Sequence, residues 1–518
     1  MQLSKNSLLI TLIGLSIMVV LISVLQGMLT LDPHHWGLML GNAKDLYEGR
    51  RPYQEIFIQY GIGTTLIHSF AYGIGKNLIS LIFVTSFFYA AGMVVIFFAA
   101  VNVLKNETHA LYVFISIFLL HPLAMLPWAN YLAFPFIAFG LYVFTLQNSS
   151  RLQLFLAGIS LGLAVLVREG LAPAVLALIL SVSIIDLLFK NYSKKDLTIN
   201  FILTCAGIAI PILCFFSYLF GMDLFSSWTL LAYQVPKIAI DEDFPGFKEF
   251  IFKDILSKIL TGFRHGDPRW ILMGFSILAN IYIGISYITG RKKSYITSSL
   301  LKISLAALLL LSSSLHMANI FRLATGSAVG LIGLYALLIS HKKERLFFIV
   351  STIWLTLTIG LGNRENMFLP TIDYIKKSRQ IEDISLFQGQ LWEPIAIDYY
   401  HNIEKDLVAI SKLSCGIKYQ YNNTIDSFFP IISPLKQLQI APYKTSKRMD
   451  ALRPELNFSH EIDSGTSIAI LDFVPKGGDS KFVSLNKYTI FSRHTVPSAY
   501  FIKENQELLL MVPTYCIN

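Results

Sequence analysis

Apolar runs of roughly span length recur along the chain, separated by short polar or charged pieces. The first, Leu8 to Leu29, has the length that a helix needs to cross a bilayer. Further runs follow near 78–101, 110–126, 131–147, 153–168, 171–189, 199–220, 270–289, 295–315, 327–340 and 346–362, which predicts eleven spans. Several are short or interrupted by proline, as at Pro122, Pro127, Pro135, Pro173 and Pro211. Between the first two runs, Trp36, Met39, Leu40, Ala43 and Tyr47 repeat at helical spacing. Asp32 is placed to cap this helix, Pro33 to open it, and Gly49 and Pro52 to stop it, so the pattern predicts an amphipathic helix lying on the membrane. Ile56 to Gly75 is too polar for a span and reads as a second surface helix or loop, making 30–77 one large loop. In the loop 221–269, Phe247 to Leu260 has amphipathic spacing and is expected to lie against the membrane. From residue 363 the pattern changes to helical stretches near 371–385 and 396–413. Alternating runs come next at Ser467 to Phe473 and Glu507 to Val512. The expectation is an all-α polytopic membrane bundle over 1–362 and a small α+β domain over 363–518.

Composition agrees with a membrane protein. Hydrophobic residues make up 54% and charged residues 14%, with mean hydropathy +0.57, too apolar for a soluble enzyme. A net charge of +9 raises the possibility of nucleic-acid binding, but the basic residues cluster between apolar runs, as topology determinants do. With the N-terminus in the cytoplasm, Lys105, Arg151, Lys190 to Lys195, Arg291 to Lys293 and His341 to Arg345 all fall on the cytoplasmic side. The loops 30–77 and 221–269 and the whole tail then fall outside, which predicts a multi-pass protein of the cytoplasmic (inner) membrane. The first run lacks a small-x-small cleavage site and reads as an uncleaved span. Cys205 and Cys214 sit in an apolar run as packing residues, whereas Cys415 and Cys516 lie in the polar tail and can pair in an oxidising compartment.

Ionisable residues near lipid are costly, and by default they mark a site. Asp32 leaves the first span in Leu31-Asp32-Pro33-His34-His35-Trp36-Gly37. Arg168-Glu169 stands in a turn between two runs, Arg322 with His316 in another, and Arg264 with His265 closes the long loop. Plainer readings exist for three of these: a helix cap for Asp32, a mutual ion pair or snorkelling to the interface for Arg168 and Glu169, and a solvated surface for Arg264 and His265. A carboxylate and cations facing one outer cavity suit sugar transfer from a lipid phosphate, where a base takes a proton from the acceptor and cations hold the departing phosphate. Asp32 is the candidate base, and Arg322, Arg168, His34, His35 and Arg264 are candidates for the phosphate. No P-loop, no GxGxxG opening a helix, no HExxH and no Cys/His zinc pattern is present.

Asp32-Pro33-His34-His35-Trp36-Gly37, then Asp45-Leu46-Tyr47-Glu48-Gly49-Arg50-Arg51-Pro52-Tyr53 and Gln59-Tyr60-Gly61, resemble the first outer loop of GT-C-type membrane glycosyltransferases. That resemblance implies a bundle of about a dozen spans with two surface helices in the first outer loop. It implies a polyprenyl-phosphate-linked hexose or pentose as donor, inversion at the anomeric carbon, and a glycan or lipid acceptor such as lipopolysaccharide. Asp32 takes the family's catalytic acidic position, and Trp36, Glu48, Tyr53, Tyr60, Glu169 and His316 are expected to line the substrate pocket. The family's second acidic position has no clear match beyond Glu169, so no metal or other cofactor is assigned and a divalent ion stays open. Two rival readings are an O-antigen-type polymerase or ligase and a non-enzymatic lipid or solute transporter.

Overall fold

The computed structural model describes residues 5–120, 127–234, 256–257, 268–290, 295–311, 320–361, 372–438, 467–484, 487–497 and 505–517. Helices dominate the first part: α1 (Lys5–Leu29), α2 (His35–Tyr47), α3 (Ile62–Gly75), α4 (Leu78–Leu104), α5 (Glu107–Leu120), α6 (Ala129–Thr145), α7 (Arg151–Val167), α8 (Ala172–Leu188) and α9 (Lys194–Gly221). Beyond a short helix at Phe225–Thr229 come Pro268–Ile288, Ser298–Leu311, Ile320–Ser340 and Glu344–Leu361. Among the described residues five helices are long and apolar enough to cross a membrane, the first at Asn6–Leu29. Shorter apolar helices such as α5, α6 and α7 pack among them. The chain is a multi-pass membrane protein.

Local sequence explains the helix ends. Asn77 caps α4 by accepting from the Ser80 amide at 3.0 Å, and Ser150 with Gln153 forms a reciprocal capping box on α7. On α1, Leu9, Ile13, Ile17, Leu21 and Leu25 are exposed at a spacing that keeps them on one side, where only lipid makes such exposure favourable. The opposite face buries Leu12, Val19 and Ser23. One interaction went unread in the sequence. Lys302 Nζ lies 2.7 Å from Asp186 Oδ1, with both side chains nearly buried, and also donates to the Phe144 carbonyl. Asn191 donates to the same carboxylate and to Ser298, so this ion pair ties α8 to Ser298–Leu311 where isolated charges would be costly.

Beyond residue 378, strands β1 (Arg379–Gln380) and β2 (Leu391–Trp392) form a small antiparallel pair. The strands β3 (Tyr419–Asn423), β4 (Lys436–Gln437), β5 (Ile468–Pro475), β6 (Tyr488–Thr495) and β7 (Gln506–Pro513) make one sheet in the order β4-β3-β5-β7-β6. β3 runs parallel to β4 and β5, and β7 antiparallel to β5 and β6. The helix Pro394–Ser411 packs on this sheet, and its Tyr399 and Tyr400 join Phe387, Trp392, Phe428 and Phe429 in an aromatic core. That core is continuous with the helical one. Trp392 Nε1 donates to the Thr30 carbonyl at 3.0 Å, on the chain leaving α1.

The structure pairs Cys415 with Cys516, Cα to Cα 5.3 Å, and leaves Cys205 and Cys214 as thiols. Purified, denatured protein is therefore predicted to take up a maleimide label at two cysteines without reductant and at four after reduction. Reduction should lower the stability of the sheet region by about 2–4 kcal/mol. Four labelled cysteines without reductant would contradict the pairing.

Candidate active site

The chain leaves α1, turns at Asp32 and starts α2. The Trp36 amide donates to the Asp32 carbonyl at 3.1 Å, and the His35 amide to Asp32 Oδ1 at 3.0 Å, so Asp32 does cap the helix. The cap is only part of its role. Its other oxygen, Oδ2, lies 2.9 Å from His35 Nδ1, and the carboxylate is wholly buried. The His35 ring stacks edge-on against Trp128 at 4.6 Å, and Trp128 meets Tyr60 at 5.2 Å. His34 Nδ1 hydrogen-bonds the Ile425 carbonyl at 3.0 Å, which fixes the proton on that nitrogen because a carbonyl only accepts. Burial, with His35 beside it, lowers the His34 pKa to about 4, so this ring is neutral near pH 7.

A loop of the C-terminal part closes over this turn. The Ser427 amide donates to the Pro33 carbonyl at 3.0 Å. A side chain at Gly37 would bring its Cβ to 2.4 Å from the Ser427 carbonyl carbon, so only glycine lets the loop come this close. The same loop carries Asp426, a buried carboxyl that accepts from Tyr400 Oη and from the Phe428 amide, each at 2.8 Å. Burial pushes the Asp426 pKa up to about 7, and the Asp32 charge adds to the rise. Asp426 was not singled out in the sequence. Its distance along the chain from Asp32 and its setting in an ordinary polar stretch gave no signal.

A second cluster lies on the other side of Tyr60. Gly61, at φ +151°, lets the chain press against the end of α7, where a Cβ would sit 2.5 Å from the Leu166 carbonyl oxygen. The Glu169 amide then donates to the Tyr60 carbonyl, and Thr64 Oγ1 to the Val167 carbonyl. Gly49 at φ +88° and Tyr53 at φ +64° form the turn after α2. This strained turn buries the Tyr53 ring so that its hydroxyl donates to Glu169 Oε1 at 3.2 Å. Trp228 Nε1 donates to the same oxygen at 3.4 Å. Arg168, only 6% exposed, ends α7 directly before it.

No protein-family model and no curated protein sequence matches the chain. Solved structures do. ArnT from Cupriavidus metallidurans bound to undecaprenyl phosphate superimposes at a TM-score of 0.60 and 10% identity, over 98% of both chains. The same protein in its apo state gives 0.54 and 10% over 97% of each. An oligosaccharyltransferase from Archaeoglobus fulgidus, in complex with Zn and sulfate, gives 0.50 and 13% over 95% of this chain and 73% of that one. The fold is that of the GT-C membrane glycosyltransferases.

Within the GT-C frame, Asp32, His34, His35, Trp36, Tyr53, Tyr60, Arg168 and Glu169 gather around the first turn of α2 and the end of α7. Trp36 is fully buried in the main core. Glu48 stands apart, at the far end of α2, paired with Lys44 at 3.4 Å. Glu169 is held by Tyr53 and Trp228, in place of the mutual ion pair with Arg168 that the sequence offered as its plain reading. α2 is covered by the C-terminal segment and by α3, and its face from Trp36 to Leu40 is buried. It is a sandwiched helix instead of one lying on lipid, because the tail supplies the second layer. Arg322, expected in a turn, falls in the first turn of Ile320–Ser340. Arg264, His265, His316 and the predicted amphipathic run Phe247 to Leu260, apart from residues 256–257, lie outside the described residues, as does the Arg322 side chain. Among the described residues no group of three or more His, Cys, Asp or Glu side chains is arranged to hold a metal ion.

The raised Asp426 pKa makes a signed prediction. Between about pH 4 and pH 7 the folded carboxyl keeps a proton that the unfolded chain releases, so its contribution to stability falls as pH rises through that window. His34 acts oppositely, because the unfolded imidazole is protonated below pH 6.5 while the folded one stays neutral down to about 4. Thermal unfolding of detergent-purified protein at pH 4, 5.5 and 7 should show Asp426→Asn gaining on wild type as pH rises. A difference independent of pH would contradict the assignment.

Proposed function

We propose that the chain is an integral membrane glycosyltransferase that moves a sugar from a polyprenyl phosphate to an acceptor glycan or lipid of the cell envelope, on the outer face of the cytoplasmic membrane. The observation that carries this reading is a buried Asp32, oriented by His35, at the end of the first span of a chain with the GT-C fold throughout. The neighbour with undecaprenyl phosphate bound supports a prenyl-linked donor. Nucleotide sugars are confined to the cytoplasm, so a reaction on the outer face needs such a donor.

The acceptor hydroxyl attacks the anomeric carbon while its proton passes to Asp32, and the bond from that carbon to the phosphate oxygen breaks. Polyprenyl phosphate leaves and configuration inverts. The donors already on Asp32 come from His35 and hold the carboxylate in one orientation, and its burial excludes competing water. Arg168, Arg322 and Arg264, with His35, neutralise the departing phosphate, while His34, neutral and bound to the Ile425 carbonyl, holds the turn and adds no charge to that grip. Trp36, Tyr53 and Tyr60 shape the pocket, and eleven spans place the 30–77 loop and the tail of 363–518 together outside. A second reading has a specific observation behind it: Glu169 is partly buried and hydrogen-bonded by Tyr53 and Trp228, and makes an alternative base.

The test is transfer from a radiolabelled polyprenyl-phosphate sugar by purified protein in lipid. Asp32→Asn should lower kcat by about 10²- to 10⁴-fold in protein that still expresses and folds, because the amide oxygen can keep the bond from the His35 N–H. Full activity of Asp32→Asn together with inactive Glu169→Gln would move the base to Glu169. Wild-type protein that transfers no sugar from any prenyl phosphate overturns the proposal.

A further inference from the structure

Further along α2 from Asp32, a cleft of about 520 Å³ opens between this helix and the segment from Pro430 to Leu438. Asp32 does not line it. Its volume falls within the range of about 300–1,000 Å³ usual for small-molecule sites, but its lining is mostly polar and charged, unsuited to a prenyl tail. One wall is α2 and the turn after it, with Asp45, Arg50 and Glu55. Those charges are largely committed: Arg50 pairs with Asp45 at 3.3 Å, and Glu55 accepts from the Arg51 amide at 2.7 Å. The other wall is the edge of the sheet, where Tyr419 and Lys436 stand side by side in parallel register on β3 and β4. Tyr419 is 43% exposed, and the Lys436 ammonium enters no ion pair among the described residues.

An exposed aromatic ring beside an uncommitted cation, facing polar groups, has a chemistry of its own. The ring face takes the C–H side of a sugar, its hydroxyl and the facing polar groups take sugar hydroxyls, and the cation takes an acidic substituent. We infer that this cleft is the acceptor site of the reaction proposed above, and that the acceptor presents there a sugar bearing a phosphate or carboxylate. The segment that forms the cleft wall continues directly from the loop that closes over Asp32, so an acceptor bound here lies along the same helix as the base. The inference rests on the transferase reading, and its test therefore uses binding without any donor.

Saturation-transfer NMR on the full-length protein in nanodiscs, with glucose 6-phosphate as probe, should give signals from the sugar protons. Lys436→Glu should weaken binding by about tenfold or more, and Tyr419→Ala should remove ring-proton saturation. Both residues are exposed strand positions, and unchanged unfolding temperatures check that the variants fold. Neutral glucose should bind more weakly than the phosphate ester. No saturation in wild type, or binding by either variant equal to that of wild type, overturns the inference. Competition by inorganic phosphate or by anionic lipid in the nanodisc as strong as that by the sugar phosphate also overturns it, because the cleft would then read phosphate alone. Binding with the expected variant losses in a protein that never transfers sugar would overturn the transferase reading and the acceptor role, but leave the site's chemistry standing.

Discussion

A carboxylate taken out of water has to be supplied with donors, and the turn at Asp32 is built around that need. Two donors come from the next helix, through the amide and ring of His35. Holding that ring in place requires Trp128 against it, and the turn itself is fixed from above by Ser427 and Ile425. One buried acid thus draws together the end of the first span, the start of α6, the first loop and the far C-terminal part.

The glycines and aromatics of the first loop have the same origin. Gly37 is small because a loop nearly four hundred residues away presses on it, and Gly61 because its backbone lies on the end of α7. Tyr53 accepts a left-handed backbone so that its hydroxyl reaches Glu169. These positions cost conformational freedom or strain. What they obtain is a continuous aromatic wall, from His35 through Trp128 to Tyr60, with an acid on either side of it.

Much of this was legible in the chain and some was not, for physical reasons. Span positions follow from the length of apolar runs, so α1, α4, α8 and α9 lie where hydropathy puts them. Asp32 stood out because a charge at the lipid boundary is costly and therefore conspicuous. Asp426 was invisible, since an acid in a polar stretch carries no such signal until the fold buries it. The pair Asp186 and Lys302 was missed for the opposite reason: each lies in an apolar run, but their meeting depends on helix packing that no local pattern encodes. For α2, amphipathic spacing alone cannot distinguish lipid from protein as the apolar partner.

Contact between the first loop and the tail also constrains topology. Pro33 and Ser427 share a hydrogen bond, so both lie on one side of the membrane, and the chain between them must cross an even number of times. Ten apolar helices of 14 to 28 residues are described between Leu78 and Leu361, which satisfies that parity if each crosses once. A crossing number that differed by one would carry the tail to the opposite face and separate Asp426 from Asp32. The Cys415–Cys516 bridge belongs to the same side as Asp32 by the same contact, and structural disulfides persist where thiols are oxidised. The basic connections Lys190 to Lys195 and His341 to Arg345 then fall opposite, where positive loops are retained. Parity ties the buried acid, the tail and the bridge to one side of the membrane and sets those basic connections on the other, which is the split that an oxidising face opposite a positively charged one requires.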